Sequence, residues 1–305
     1  MIYDLIIVGM GPAGMSAAIY AQRSGMNVLV FEKSAPGGLI NKTTNVDNYL
    51  GFNDIVGPEL AAQMFKHFSD SKIPYFIEGV KQITVSGEIK NVITDKNTYQ
   101  AHCVIVATGR KNKKIKVENS EKLEGKGISY CALCDGKLYE NKDVAIMGAG
   151  NSAFEEGTYL AKICRKIYII NKFDKLTADE ILIDQMISSG KIEVINNVQI
   201  EKLNTNELGF LANILLTNGR KLDISGLFIY IGFEQASEMV LGLNITNDFG
   251  YIKVDVNQET EVKGLFACGD ITQKKVYQII TAASEGAVAA INANRYVDQI
   301  KKANK

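Results

Sequence analysis

The sequence predicts a mixed α/β protein built from two nested modules, each a doubly wound parallel sheet, and three observations carry this prediction. Segments 3–33 and 142–172 share one plan, in which a strand, a glycine turn, a helix and a second strand follow one another. Segments 103–110 and 227–234 both read as a strand that ends at a glycine. A strand ending in FACGD at 266–270 precedes a long helical pattern, and this pair would complete the first module rather than the second.

The order of these repeats predicts that one module is inserted into the other. We expect a discontinuous first domain, residues 1–113 plus 244–305, and an inserted second domain, residues 114–243. Glycine-containing segments at 110–127 and 232–239 are the expected hinges. The last five residues, KKANK, are expected to be a frayed tail.

Composition narrows the function classes. The chain has 305 residues, 46% of them hydrophobic, which is enough for two domains with their own cores. The 34 basic and 34 acidic residues give a net charge of zero, which does not favour a nucleic-acid or membrane-surface protein. Neither an apolar run long enough to span a membrane nor a signal peptide is recognisable, so a cytoplasmic location is expected.

The first glycine turn, GMGPAG, has the spacing of a dinucleotide-binding turn. Gly9 permits the tight turn, Gly11 lets the backbone approach a pyrophosphate, and Gly14 lets the helix pack against the strand. Pro12 and Ala13 complete the turn and open the helix, whose amino end faces the phosphates. Glu32 ends the next strand, where a carboxylate can accept hydrogen bonds from ribose hydroxyls. The alternative is a glycine turn that serves packing alone.

Two further strand ends favour FAD as the dinucleotide. Thr108 and Gly109 lie in the ATG segment, and Gly269 and Asp270 end the FACGD strand. The aspartate of such a strand end typically meets the ribityl chain of the flavin.

Cys131 and Cys134 are the two cysteines with a CxxC spacing, and three interpretations are open. A zinc site would need four ligands, which two histidines and a single CxxC do not readily supply, so no metal is expected. The pair could be incidental. A redox disulphide fits best, because Asp135 can carry a proton to or from a thiol, although it could also be a simple turn residue. Cys103, Cys164 and Cys268 are expected to be buried apolar residues.

The chain resembles the low-molecular-weight thioredoxin reductases over nearly its whole length. The resemblance rests on GMGPAG, PGG, ATG, CALCDG, GAGNSAFEEG, FACGD and YQIITAASEGAVAA. It implies a homodimer of two nested Rossmann-like nucleotide-binding domains, of the FAD/NAD(P)-binding disulphide reductase type. FAD would be the cofactor, and thioredoxin the partner.

The resemblance also assigns roles to individual residues. Cys134 matches the cysteine that faces the flavin, Cys131 the outward one that attacks the thioredoxin disulphide, and Asp135 the proposed acid. The further segments that match loops touching FAD contain Gly37, Gly38, Asn48, Asp270 and Gln278. Tyr277 stands where the family usually has arginine, and an aromatic ring there could lie near the flavin.

The second glycine turn, Gly148 to Ala153, departs from the family where the electron donor would bind. Asn171 is the repeat counterpart of Glu32, and it is neither acidic, as an NAD site wants, nor followed by the arginines that grip the 2′-phosphate of NADPH. A branch of the family takes electrons from ferredoxin, and this departure favours that branch. Basic groups that could dock an acidic ferredoxin are Arg110, Lys111, Lys113, Lys114 and Lys116, with Lys162, Arg165 and Lys166.

The sequence therefore leaves three alternative hypotheses for the function. The leading one is a ferredoxin-linked, FAD-dependent thioredoxin reductase. The second has the same disulphide chemistry with NADPH or NADH as donor. The third is a non-enzymatic FAD-binding redox sensor, against which the intact CxxC-Asp segment argues.

Overall fold

A computed structural model describes residues 1–43 and 45–303 and divides the chain into two compact units. The first unit combines Met1–Lys111 with Glu234–Lys305, and the second is Asn112–Phe233. The chain therefore returns to the first unit at residue 234, ten residues before the expected boundary at 244. The reason is the 3₁₀ helix Glu238–Leu243, because Met239 and Val240 are buried in the first unit's core.

The first unit begins with alternating strands and helices and continues as an antiparallel meander. Its elements before the second unit are β1 (Ile2–Val8), α1 (Pro12–Arg23), β2 (Val28–Glu32), α2 (Gly57–Asp70), β3 (Tyr75–Ile77), β4 (Val80–Ser86), β5 (Ile89–Thr94), β6 (Thr98–Val106) and β7 (Arg110–Asn112). The β1 and β2 strands form because their apolar, β-branched runs are buried on both faces.

The second unit repeats the strand–turn–helix plan and adds a small antiparallel sheet. Its elements are β8 (Ile128–Ser129), α3 (Ala132–Asp135), β9 (Asp143–Met147), α4 (Asn151–Ile163), β10 (Lys166–Ile170), α5 (Glu180–Ile187), β11 (Ile192–Ile195), β12 (Ile200–Thr205), β13 (Leu211–Leu216), β14 (Lys221–Asp223) and β15 (Gly226–Ile229). Then follow β16 (Phe233–Gln235) at the boundary, and β17 (Leu265–Ala267) and α6 (Ile279–Ala303) in the first unit.

The strand orders support the doubly wound interpretation of both units. The first unit's sheet runs β3-β2-β1-β6-β5-β4, with β17 also paired to β6, and β1 is parallel to both β2 and β6. The second unit's main sheet runs β11-β10-β9-β15-β8, with parallel pairs throughout. In each unit the glycine turn follows the strand from which the order runs outward both ways, and such switch points are where α/β sheets bind ligands.

The carboxyl end of the chain is more ordered than expected. Helix α6 continues to Ala303, so the predicted tail is wrong for residues 301–303, while Asn304 and Lys305 lie outside the described residues. Val297 and Ile300 are buried, and Lys301 Nζ forms a 2.7 Å ion pair with Asp4. Burial and this ion pair hold the final turn of the helix.

Candidate functional site

The first glycine turn is shaped to receive a phosphate. Gly9 has φ of 109°, and Gly14 packs so closely that an added Cβ would lie 1.8 Å from the Gly9 carbonyl oxygen. At Gly11, by contrast, an added Cβ would meet no atom within 4 Å. Gly11 is also the N-cap of α1, and it supplies no side-chain hydrogen bond to the first-turn amides. The turn thus offers an open space beside uncapped amides, which suits an anion.

Glu32 lies beside this turn, as the sequence predicts. Its Oε2 accepts a 2.7 Å hydrogen bond from the Met10 amide, and its Oε1 accepts one from the Ser34 amide. The two contacts hold the carboxylate at the carboxyl end of β2, next to the space at Gly11. These residues fit the ribose and pyrophosphate of a dinucleotide.

The predicted loop residues gather around the same turn. Gly37 donates its amide to the Met10 carbonyl at 2.8 Å, and a Cβ on Gly38 would lie 3.5 Å from Gly11 Cα. Asn48 and Gln278, 230 residues apart, meet through a 3.3 Å hydrogen bond between their side-chain amides. Both of these amides are exposed.

Other predicted residues make contacts within the protein. Ala13 is buried against α6, because a Cβ on Gly286 would lie 2.1 Å from the Ala13 carbonyl oxygen. Thr108 donates its hydroxyl to the Ala236 carbonyl at 2.6 Å, and Gly109 follows with φ of 64°. The Gly269 amide donates to the Glu285 carboxylate at 2.8 Å. Pro12 occupies the first turn of α1.

Asp270 and Tyr277 share one cation, which the sequence did not indicate. The Arg110 guanidinium donates two hydrogen bonds, of 2.6 and 3.1 Å, to Asp270 Oδ2. The same guanidinium lies 4.4 Å from the centre of the Tyr277 ring. Asp270 therefore carries a paired charge.

In the second unit, Cys131 and Cys134 form a disulphide with their Cα atoms 5.4 Å apart. Cys131 is the N-cap of α3, and its Sγ accepts a 3.1 Å hydrogen bond from the Cys134 amide. Such a donor stabilises a thiolate once the bond opens. The resemblance implied an outward Cys131, but this residue is 4% exposed in the oxidised state, whereas Cys134 is exposed.

Asp135 is tied to the cysteine pair through Ser129. The Ser129 hydroxyl donates to Asp135 Oδ2 at 2.6 Å and accepts a 3.1 Å hydrogen bond from the Cys131 amide. The segment packs tightly on α4, since an added Cβ on Gly136 would lie 3.0 Å from a methyl of Leu160. A side chain at this position would have to displace the neighbouring side chains of α4 by a few tenths of an ångström.

A second carboxylate beside the disulphide was missed by sequence reasoning. Glu156 on α4 is buried, and its Oε2 accepts hydrogen bonds from the Ala132 amide at 2.9 Å and the Tyr230 hydroxyl at 3.0 Å. Burial raises the pKa of Glu156, and these donors oppose that rise. The available signal was an acidic residue on the apolar face of α4, between Phe154 and Gly157.

The second glycine turn superficially repeats the first. The Gly9 and Gly148 amides each donate to the carbonyl just before the predicted ribose position, Phe31 and Ile170 respectively. This supports Asn171 as the counterpart of Glu32.

Asn171, however, is only 3% exposed, and its side chain is committed inside the protein. Its amide nitrogen donates to the Lys175 carbonyl and to Asn196 Oδ1, and its oxygen accepts from the Phe173 amide. An amide used in this way is not presented to a ribose.

Within residues 1–43 and 45–303, no group of three or more His, Cys, Asp or Glu side chains is placed to hold a metal ion. No helix in the same described residues is both long and apolar enough to cross a membrane.

Comparisons with known proteins extend over nearly the whole chain. The family described as pyridine nucleotide-disulphide oxidoreductase matches residues 3–286. A protein of Bacillus subtilis (strain 168) named thioredoxin reductase is 38% identical over 306 residues, covering 99% of this chain and 96% of the relative. One of Listeria innocua with the same name is 37% identical over the same shares.

Solved structures point the same way. A Lactococcus lactis thioredoxin reductase, described as the FR conformation, matches with a TM-score of 0.90 at 34% identity, covering 97% of this chain and 99% of that one. A ferredoxin-flavin thioredoxin reductase from Clostridium acetobutylicum matches with a TM-score of 0.57 at 30% identity, covering 99% of both chains.

Proposed function

The chain belongs to the low-molecular-weight thioredoxin reductases, FAD-binding members of the pyridine nucleotide-disulphide oxidoreductase family, and from this premise we propose how its own residues act. Electrons pass from a donor through FAD to the Cys131–Cys134 disulphide, and from there to thioredoxin. The observation that carries the proposal is this disulphide, closed at the start of a short helix beside a carboxylate held by Ser129.

The first unit holds the cofactor in this proposal. The open space at Gly11 and the amides of α1 would receive the pyrophosphate, and Glu32 would accept hydrogen bonds from the ribose. The exposed side-chain amides of Asn48 and Gln278 would be available to hold FAD. When bound, FAD would supply the redox chemistry between the donor and the disulphide.

The second unit performs the thiol chemistry. After reduction, the Cys134 amide stabilises a thiolate at Cys131, which favours Cys131 as the nucleophile towards thioredoxin. Because Cys131 is buried while the disulphide is closed, attack requires that its sulfur become exposed once the bond has opened. Asp135, oriented by Ser129, exchanges a proton with a cysteine sulfur as the Cys131–Cys134 disulphide opens and closes.

We propose a pyridine nucleotide, NADPH or NADH, as the electron donor. The relatives from Listeria innocua and Bacillus subtilis, at 37% and 38% identity, are named simply thioredoxin reductase, whereas the ferredoxin-flavin thioredoxin reductase is 30% identical. The comparisons therefore favour the second of the functions expected from sequence over ferredoxin.

The charges also weaken the case for a ferredoxin dock. Most of the basic residues proposed for it already have a carboxylate partner, namely Arg110, Lys111, Lys114, Arg165 and Lys166. Paired cations attract an acidic protein less than free ones do.

Ferredoxin stays as the second candidate because of one specific observation. The segment 171–181 contains no arginine, and the side chain of Asn171 is fully hydrogen-bonded within the protein. A nucleotide donor must therefore bind without the usual bidentate grip on its ribose or 2′-phosphate.

The donor is tested by mixing the purified flavoprotein anaerobically with NADPH, NADH or reduced ferredoxin in separate reactions. We expect a pyridine nucleotide to bleach the visible band of oxidised flavin, and oxidised thioredoxin to restore it. Bleaching by reduced ferredoxin alone would replace the proposed donor with the second candidate.

A further inference from the structure

The buried carboxylate of Glu156 contacts the backbone next to the redox disulphide. Glu156 projects from α4, is 9% exposed, and accepts a 2.9 Å hydrogen bond from the Ala132 amide. Tyr230, at the end of β15, donates its hydroxyl to the same Glu156 oxygen and itself accepts from the Ala132 amide at 2.9 Å. Three separate elements thus converge on the peptide that follows Cys131.

This arrangement carries a cost that packing alone does not explain. Burying a carboxylate disfavours its charged form, and desolvation raises the pKa of Glu156. Both groups that contact Oε2 are hydrogen-bond donors, so the contacts suit the ionised carboxylate. An isosteric amide would fill the same volume without burying a charge.

We propose that Glu156, held by Tyr230, is a positioning residue that fixes the peptide following Cys131 and sets a negative charge next to it, so that the Cys131–Cys134 dithiol/disulphide couple stays strongly reducing. The proposal rests on the proposed function, because it concerns the same disulphide.

The chemistry of the step gives the direction of the effect. Reduction breaks the bond between the sulfurs of Cys131 and Cys134, takes up two electrons from the reduced cofactor, and leaves two sulfurs that bind two protons or remain thiolates. A nearby negative charge disfavours the thiolate of Cys131 and so destabilises the reduced pair. A less stable reduced pair is a stronger reductant of thioredoxin.

Other titratable groups lie near Glu156 and Tyr230, and their electrostatic effects must be distinguished from that of Glu156. Glu155 adjoins Glu156 on α4, and its charge adds to the rise in the pKa of Glu156. Asp135 follows the disulphide on α3, and its charge adds to the rise in the pKa of Tyr230 and of Tyr139. Glu155 is exposed on the same helix, so it provides a matched control for charge alone.

The test measures the disulphide equilibrium of the purified holoenzyme without nucleotide, ferredoxin or thioredoxin. The protein is equilibrated anaerobically with mixtures of reduced and oxidised dithiothreitol, quenched by alkylation, and the state of Cys131 and Cys134 is read by mass spectrometry. In Glu156→Gln we expect the equilibrium constant for reduction of the disulphide by dithiothreitol to be about tenfold higher than in the wild-type protein, the equivalent of one pKa unit. In Glu155→Gln we expect less than about a twofold change, as for an exposed, screened charge.

Tyr230→Phe keeps the proposal testable if Glu156→Gln does not fold. Without its hydroxyl donor the carboxylate holds a proton more readily, so the equilibrium should shift in the same direction by a smaller factor. Glu156→Asp keeps the charge but shortens its reach, and it should not restore the wild-type value. A wild-type equilibrium in Glu156→Gln and Tyr230→Phe, or an equal shift in Glu155→Gln, would overturn the proposal. Because dithiothreitol replaces both donor and thioredoxin, this result is independent of whether thioredoxin is the physiological acceptor.

Discussion

The Ser129 hydroxyl donates a 2.6 Å hydrogen bond to the carboxylate of Asp135, and its oxygen accepts the Cys131 amide at 3.1 Å. One short side chain therefore fixes the position of the proposed acid relative to the cysteine pair. In the sequence Asp135 is next to Cys134, but its link to Ser129 depends on the conformation of the chain between the end of β8 and the start of α3.

Asp135→Asn is expected to slow thiol–disulphide exchange with thioredoxin by roughly 100-fold, because an amide cannot exchange the proton. Its carbonyl can still accept from Ser129, so geometry and flavin content should not change. The rate is followed by the appearance of thioredoxin thiols, and undiminished turnover would reduce Asp135 to a turn residue.

Cys134→Ser is expected to trap a mixed disulphide between Cys131 and thioredoxin, because the resolving sulfur is missing. Peptide mass mapping after non-reducing electrophoresis identifies the linked cysteine. Cys131→Ser serves as the matched control and should trap far less. The opposite pattern would assign the nucleophile to Cys134, the more exposed residue of the pair.

Gly11→Ala is expected to remove FAD without destabilising the first unit. Its Cβ would meet no protein atom within 4 Å, so it would obstruct only a molecule bound in the turn. Flavin content and the thermal midpoint of the apoprotein measure the two effects. Gly242→Ala, whose Cβ also meets no atom within 4 Å, is the control and should keep its flavin. If the Gly11→Ala protein retained its full flavin content, the pyrophosphate could not bind at Gly11 as proposed.

The three cysteines outside the pair are expected to resist alkylation in the native protein. Burial raises the pKa of Cys103 to about 12 and that of Cys164 to about 11, and it also raises the pKa of Cys268. A raised thiol pKa keeps the unreactive neutral form until the pH approaches that value. At neutral pH, iodoacetamide should therefore label only Cys131 and Cys134, and only after reduction. Rapid labelling of Cys103 or Cys268 would contradict this account.

Much of the fold could be predicted because its signals are local. Each glycine turn follows a short apolar strand and begins a helix. The repeat alone identified Asn171 as the counterpart of Glu32. Burial of Cys103, Cys164 and Cys268 was likewise predicted from the sequence and is confirmed.

Features that depend on long-range packing could not be predicted. The boundary at 234 depends on Met239 and Val240 packing into a core formed by distant strands. The ion pair of Arg110 with Asp270 joins residues 160 positions apart. Glu156 is inconspicuous in sequence because only the folded chain brings its helix to Ala132.

The most direct test of the central claim is steady-state reduction of oxidised thioredoxin by the flavin-loaded protein under anaerobic conditions, with NADPH or NADH as the only electron source. We predict that thioredoxin thiols accumulate with at least one nucleotide and that Cys131→Ser and Cys134→Ser both abolish the reaction while retaining flavin. Turnover that persists in these variants, or its absence with both nucleotides in the wild-type protein, would contradict the account.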